Sequence, residues 1–219
     1  QNKTYDWLND GAPYRISNDL QVWEDNSNNE IAVLHIESGA ELHFTQNALL
    51  QIGSSSDGDA GALIADSVIF TQADTLGWSG IKFLNYANDD LSIIDNSVIE
   101  YAEKGVYLES SSPSIKNSTI RFNTYGIDSD ASSEPQIVGN IFSNNVHPVY
   151  MCARSVDGNI HGNTYEENTN QRIWLYGIQD NGSWIRLGEY KTYNWLNDGA
   201  PYYVATEVRI ERENNSNQI

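Results

Sequence analysis

The sequence predicts an all-β chain folded as a right-handed parallel β-helix, a solenoid in which short strands stack coil upon coil. Two observations predict this fold. A repeat of 21 to 23 residues runs through the middle of the chain, and each period holds short β-type runs separated by Gly, Asn, Ser and Pro. No segment of the sequence keeps a helical period of 3.6 residues. The chain of 219 residues is long enough to bury a sizeable core as one elongated domain.

The short repeat is defined by four aligned segments that begin at Asn96, Asn117, Gly139 and Gly162. One coil cannot bury its apolar face alone and must stack on neighbours, at about 4.8 Å per coil. Stacking in this register predicts two interior columns and a ladder of side-chain amides at a turn. The first column is Ile69, Ile99, Ile120, Phe142 and Tyr165, the second is Ile81, Val106, Ile127, Val149 and Ile173, and the ladder is Asn123, Asn145 and Asn168.

A longer repeat relates two distant parts of the chain. The segment Lys3–Tyr14 returns as Lys191–Tyr202, at an offset of 188 residues, and the match continues without a gap to Ile219. We therefore expect residues 1–188 to form one complete β-helix unit. Residues 189–219 then begin a second tandem unit and pack as the end of the same β-helix. The alternative is one structural element that occurs at both ends of a single closed domain.

The resemblance to known proteins follows from these same motifs. Residues 96–162 resemble the short parallel β-helix repeats of the pectate-lyase-like superfamily. The motifs Gly11–Ile16, Leu34–Phe44, Gly61–Asp66 and Gly77–Ile81 resemble the opening of bacterial surface β-helix modules. Together they cover most of the chain. This resemblance implies the fold but no single activity, because the superfold carries lyases, hydrolases, tail-spikes and adhesins.

Composition excludes several classes of partner. Acidic residues outnumber basic ones 30 to 12, which gives a formal charge of −18. Nucleic acid is not expected as a partner, because its binding depends on Lys and Arg at the phosphates. Membrane insertion is not expected either, since no apolar run is long enough to span a bilayer. Cys152 is the only cysteine, so no disulfide forms within the chain. The expected location is extracellular or on the cell surface.

The candidate binding surface follows from the strand that ends each coil. If the second column points inward, the residues that follow its members point outward, and stacked coils gather them into one strip of aromatic rings and carboxylates. Aromatic faces stack on sugar rings, while carboxylates accept sugar hydroxyls or hold a calcium ion. The alternative is that large aromatic residues simply pack beside one another on a sheet. The candidate ligand-binding residues are Tyr107, Glu109, Asp128, Asp130, Tyr150 and Trp174.

Two places could hold a metal ion. Asp57 and Asp59 flank a glycine in a Ser-rich loop and could ligate calcium, although the remaining ligands of an EF-hand are missing. His35 and His43 alternate with nearby glutamates and could bind zinc if a turn brought them together, but a solvated strand face has the same pattern. No resident cofactor is expected beyond a possible calcium ion.

Together these observations favour a non-catalytic structural repeat module of a large extracellular or cell-envelope protein, acting as a spacer, adhesin stalk or layer-forming unit. The expected partners are neighbouring repeat units of the same protein. The alternative is a polysaccharide-binding or polysaccharide-cleaving module. No Asn-Thr-Asp motif followed by Asp-Asp and Arg-Ile-Lys occurs, as in polygalacturonase-like sequences, so an enzyme is the less favoured interpretation.

Overall fold

The computed structural model describes residues 2–24, 30–56, 59–177, 179–180, 183–184 and 192–208. In these residues the chain winds into seven coils, and each coil contributes one strand to each of three parallel sheets. Neighbours within a sheet lie three strands apart in the sequence, as a solenoid requires. The predicted right-handed parallel β-helix is therefore confirmed.

The strands of the three sheets are short. The first sheet contains β1 (Asn2–Trp7), β4 (Ile31–Ile36), β7 (Gly61–Asp66), β10 (Ile93–Asp95), β13 (Ser114–Lys116), β16 (Gln136–Val138) and β19 (Ile160–His161). The second contains β2 (Tyr14–Ile16), β5 (Glu41–Phe44), β8 (Ile69–Gln72), β11 (Val98–Glu100), β14 (Thr119–Arg121), β17 (Ile141–Ser143) and β20 (Thr164–Glu166). The third contains β3 (Leu20–Val22), β6 (Leu49–Ile52), β9 (Trp78–Phe83), β12 (Ala102–Leu108), β15 (Tyr125–Ser129), β18 (His147–Cys152), β21 (Ile173–Tyr176) and β24 (Tyr202–Val204).

Among the described residues, three elements lie outside these sheets. β22 (Gln179–Asp180) and β23 (Ser183–Trp184) form a short antiparallel pair. A 3-10 helix, Ala153–Val156, follows β18. The part of the chain that the structure describes contains no α-helix.

The core consists of columns of equivalent apolar side chains inside the coils. The second predicted column is confirmed, because all five of its members lie in register in the third sheet and are fully buried. The first is wrong by one residue at its start. Phe70, not Ile69, lies beside Ile99 and is fully buried. The reason is that Ser67, with φ 59°, takes the left-handed turn position that Asn96 takes in the next coil.

Hydrogen-bonded ladders join the coils at two of their corners. The corner between the second and third sheets carries the predicted amide ladder. Asn145 Oδ1 accepts the Asn123 backbone N–H at 3.0 Å, and Asn168 Oδ1 accepts the Asn145 backbone N–H at 2.9 Å. All three side chains are buried. Each amide thus satisfies a backbone donor that a turn inside the core would otherwise leave unpaired.

A second ladder lies at the corner between the first and second sheets, and we call it the first-corner ladder. Each backbone N–H at this corner donates to a side-chain oxygen in the next coil, at 2.8 to 3.1 Å. Its residues are Val68, Ser97, Ser118, Asn140, Asn163 and Asp198. The ladder therefore ends on a residue of the second repeat copy.

The two copies of the long repeat contact the coils differently. β2 pairs with β5 in the second sheet, whereas its sequence equivalent β24 pairs with β21 in the third. Trp7 packs on Tyr14 with ring centroids 4.9 Å apart, and Trp195 packs on Tyr202 at 5.5 Å. The local structure is thus retained from Leu8 to Tyr14 and from Leu196 to Tyr202, whereas residues 192–195 do not form the strand that their equivalents form in β1.

Candidate functional site

The candidate site is the outer face of the third sheet. Inward residues such as Val106 alternate with outward ones, so strand register decides which outward side chains become neighbours. Tyr107 lies beside Asp128, Asp128 beside Tyr150, and Tyr150 beside Trp174. All four are half-buried. The structure therefore brings the predicted row together on one surface.

The first part of this surface is charged. Lys82 pairs with Glu109 at 2.8 Å, and Lys104 pairs with Asp128 at 2.7 Å. The Lys104 ammonium also lies 4.0 Å from the centroid of the Tyr107 ring, a cation–π contact. Burial lowers the pKa of Lys104, but the hydrogen bond and the charge of Asp128 raise it by more, so its pKa is raised overall. The lysine stays protonated and neutralises the carboxylate.

The second part, which we call the aromatic strip, is a set of rings in contact across four neighbouring strands. Tyr150 stacks on Tyr176 with centroids 5.1 Å apart, and Trp174 lies against Tyr203 at 4.5 Å. Burial raises the pKa of Tyr150, so its phenol is neutral at physiological pH. The strip is therefore an uncharged aromatic surface beside a charged one. Its residues are Tyr125, His147, Tyr150, Trp174, Tyr176 and Tyr203.

Asp130 and Cys152 lie near this face, the first engaged in hydrogen bonds and the second buried. The Asp130 carboxylate accepts the backbone N–H groups of Ser110 and Ser132, both at 3.0 Å, and the Ser133 hydroxyl at 2.7 Å. These bonds give Asp130 a structural role in its turn. The sequence pattern puts Cys152 in the outward row, but the residue is 4% exposed and burial raises the pKa of its thiol.

The predicted candidate residues lack four members of the aromatic strip: Tyr125, His147, Tyr176 and Tyr203. Tyr125 and His147 lie beside each other in register, with ring centroids 5.0 Å apart. Burial lowers the pKa of His147, so it too is neutral near pH 7. The position of Tyr125 and His147 in the repeat could have identified them, because Tyr125 immediately precedes Gly126-Ile and His147 immediately precedes Pro148-Val.

The predicted metal ligands are not assembled into one cluster. No group of three His, Cys, Asp or Glu side chains in the described ranges could share a metal ion. His35 binds Asp6 at 2.7 Å on the first sheet, while His43 binds Glu41 at 3.0 Å on the second. Asp59 is half-buried, and its predicted partner Asp57 lies outside the described residues. Calcium binding by this loop stays a prediction.

The three stacked sheets, the buried columns and the two ladders define a right-handed parallel β-helix protein with an outward strip of aromatic and charged residues on one sheet. Residues 2–173 match the family model described as "Periplasmic copper-binding protein (NosD)". The chain belongs to this family. No curated protein and no solved structure matches the chain. Within the described residues, no helix has the length and apolar character needed to cross a membrane.

Proposed function

We propose that this chain is a non-catalytic structural module of an envelope or cell-surface protein, joined to neighbouring units of the same kind. The observation that carries this proposal is the repeated segment. Its second copy lies on the last coil, where Asp198 is 2% exposed and ends the first-corner ladder. The periplasmic location in the family description supports an envelope setting.

A deletion tests the structural role. Removing residues 189–219 takes away Asp198 and β24, so the edge of β21 loses its partner. Open strand edges pair with other chains, and we expect a lower melting temperature and aggregation in size-exclusion chromatography with light scattering. The matched control lacks only residues 209–219 and keeps both elements. A deleted chain as stable and as monomeric as this control would contradict the proposal.

The second candidate function is binding of a polysaccharide on the third sheet. The aromatic strip favours it, because neutral rings that span several coils form an extended aromatic surface against which sugar rings can pack. The carboxylates of Glu109 and Asp128, each paired with a lysine, lie on the same face and could accept hydroxyl groups of a sugar. These ion pairs favour binding over catalysis, since each carboxylate is already neutralised by a lysine.

A matched pair of variants tests this candidate. Tyr150→Ala with Trp174→Ala removes the centre of the strip and should weaken binding to any retained glycan at least about 30-fold, the loss expected of aromatic anchors. The control is Tyr101→Ala with Phe122→Ala, a stacked and exposed pair outside the third-sheet strip. Mass spectrometry of a polysaccharide panel, with and without calcium, reports cleavage. Equal binding by both variants would refute the candidate, and new oligosaccharides would establish an enzyme.

Copper binding, which the family description names, is not proposed for the described residues. The soft donors Met151 and Cys152 are 0% and 4% exposed in the core. Three of the four histidines, His35, His43 and His147, lie on three different sheets, so their imidazoles do not converge. Metal analysis after incubation with Cu(I) or Cu(II) should find no stoichiometric copper. One tightly held copper ion per chain would show that these donors rearrange or that residues outside the described ranges bind it.

A further inference from the structure

We propose that the repeated Trp-Leu-Asn-Asp-Gly-Ala-Pro-Tyr segment is a two-sided joint between repeat units, and we call it the joint segment. Its asparagine binds the coil that follows and its aspartate binds the coil that precedes. The exposed Asp10 is then the acceptor for the last coil of a preceding unit. This inference rests on the structural role proposed above, and it names the partner and the atoms of the contact.

The first copy shows the contact with the following coil. The Asn9 backbone N–H donates to Glu37 Oε2 at 2.6 Å, and Asn9 Nδ2 donates to the Ser38 carbonyl at 3.2 Å. β1, which ends at the tryptophan that begins the joint segment, pairs with β4 over six residues. One side of the segment is thus bonded to the next coil through its asparagine.

The second copy shows the contact with the preceding coil. Asp198 Oδ1 accepts the Asn163 backbone N–H at 2.9 Å, and Asp198 Oδ2 accepts Asn163 Nδ2 and the Tyr165 hydroxyl, both at 2.8 Å. The Gly158 N–H donates to the Asn194 carbonyl at 2.9 Å. The preceding coil is therefore bonded through the aspartate, which follows the asparagine in the segment.

The chemistry of the first-corner ladder explains why this residue is an aspartate. Each coil donates a backbone N–H and, where the rung is asparagine, a side-chain N–H to the next coil. The last rung of the ladder has to accept both and donates to no further rung, because the asparagine of the joint segment makes the contact with the following coil. A carboxylate has two acceptor oxygens and no donor, so Asp198 meets this requirement. Charge also strengthens the bonds it accepts.

Asp10 has the same local structure but a different environment. Tyr14 donates to the Leu8 carbonyl at 2.6 Å, and the equivalent Tyr202 donates to the Leu196 carbonyl at 2.8 Å. The turn glycines that follow the two aspartates have φ 86° and 85°. Asp10 is exposed, and the donor to its carboxylate is the nearby Ala12 N–H at 3.1 Å. The segment is preorganised, so binding a preceding coil requires little reordering.

The two contacts use different residues, so one joint segment can make both at once. The strand that follows the aspartate pairs in the second sheet in the first copy (β2) and in the third sheet in the second copy (β24). The proposed joint therefore depends on the contacts at the corner and not on one shared sheet. The partner is thus another repeat of the same sequence, presenting the equivalents of Asn163 and Tyr165.

The first test uses the full chain and hydrogen exchange. Asp198→Ala removes the acceptor of the Asn163 amide, and we expect that amide to exchange at least about 10-fold faster. Asp10→Ala is the matched control, and it should leave exchange at Asn163 unchanged. Equal exchange of the Asn163 amide in the two variants would overturn the assignment of Asp198 as the terminal rung.

The second test uses a two-unit chain, residues 1–188 followed by the full chain, in which the inner joint segment has a coil on each side. Aspartate to alanine at that segment should speed exchange only at Asn163 of the first unit. Glu37→Ala in the second unit removes the acceptor of the asparagine backbone N–H, so it should speed exchange only at the asparagine amide of the inner joint segment. Protection on one side alone would refute a two-sided joint. Two units that unfold independently would also refute the joint. That outcome would leave the structural-module proposal standing as a spacer of separate modules, so failure of the joint can be distinguished from failure of the proposed function.

Discussion

Replacing Asn145 with alanine tests whether the amide ladder stabilises the coils. Asn145 is fully buried, and its Oδ1 accepts both N–H groups of Asn123. Its Nδ2 donates to the Ile120 carbonyl at 2.8 Å and to Asn168 Oδ1 at 3.1 Å. Alanine removes these bonds and leaves the Asn123 backbone N–H buried without its acceptor. One stranded donor at about 1–3 kcal/mol and three other lost bonds at about 1 kcal/mol each give a loss of about 4–6 kcal/mol.

Thermal and urea unfolding measure this loss. For a chain of this size, a loss of ~4–6 kcal/mol lowers the melting temperature by roughly 8–24 °C. Asn85→Ala is the control, because Asn85 is an exposed turn residue and its replacement should change stability by less than about 0.5 kcal/mol. If Asn145→Ala changes stability no more than the control does, the ladder is not a stabilising element and the reasoning fails.

Three further predictions concern packing, thiol reactivity and pH. Gly80→Ala should destabilise the fold by about 3 kcal/mol or more, because Gly80 has φ 114° and a Cβ there would overlap the carbonyl oxygen of the adjacent strand. The control is Gly11→Ala, at φ 86° in open space, which should cost only backbone strain of about 1 kcal/mol. The buried Cys152 should react with a thiol reagent only after unfolding, because burial raises the pKa of its thiol; fast labelling of the native chain would contradict this. Burial and Asp198 raise the pKa of Tyr202 from 10.0 to about 12. Its contribution to stability should therefore be complete below pH 10 and be lost as pH rises towards 12. Tyr202→Phe should reduce the pH dependence of the free energy of unfolding across that window.

The repeat phase was sufficient to predict the coil, the inward columns and one ladder. Asn123, Asn145 and Asn168 occupy one phase with the same residue type, so their stacking could be inferred from spacing. The first-corner ladder uses serine in two coils and asparagine in the next two, so the residue type alone does not show that these positions of the repeat have the same role. The same obstacle hid Tyr125 and His147, because the equivalent residue one coil earlier is Lys104.

Two features depend on information that local sequence does not contain. Ser67 takes a left-handed turn that Asn or Gly usually takes, and this moved the predicted column by one residue. Asp10 and Asp198 stand in the same eight-residue motif, yet one is exposed and the other buried. What differs is the coil that lies beneath each, and that is fixed by the fold as a whole.

The stacking of parallel coils along one axis has a mechanical consequence. Tension applied between the first and last coils pulls on the terminal coil and loads its bonds one after another instead of all at once. Each detachment of a coil with the 22-residue spacing of the amide ladder frees roughly 70 Å of extended chain. A strained array of such coils would therefore lengthen in small steps at modest force, and would dissipate a pull without losing the remaining coils.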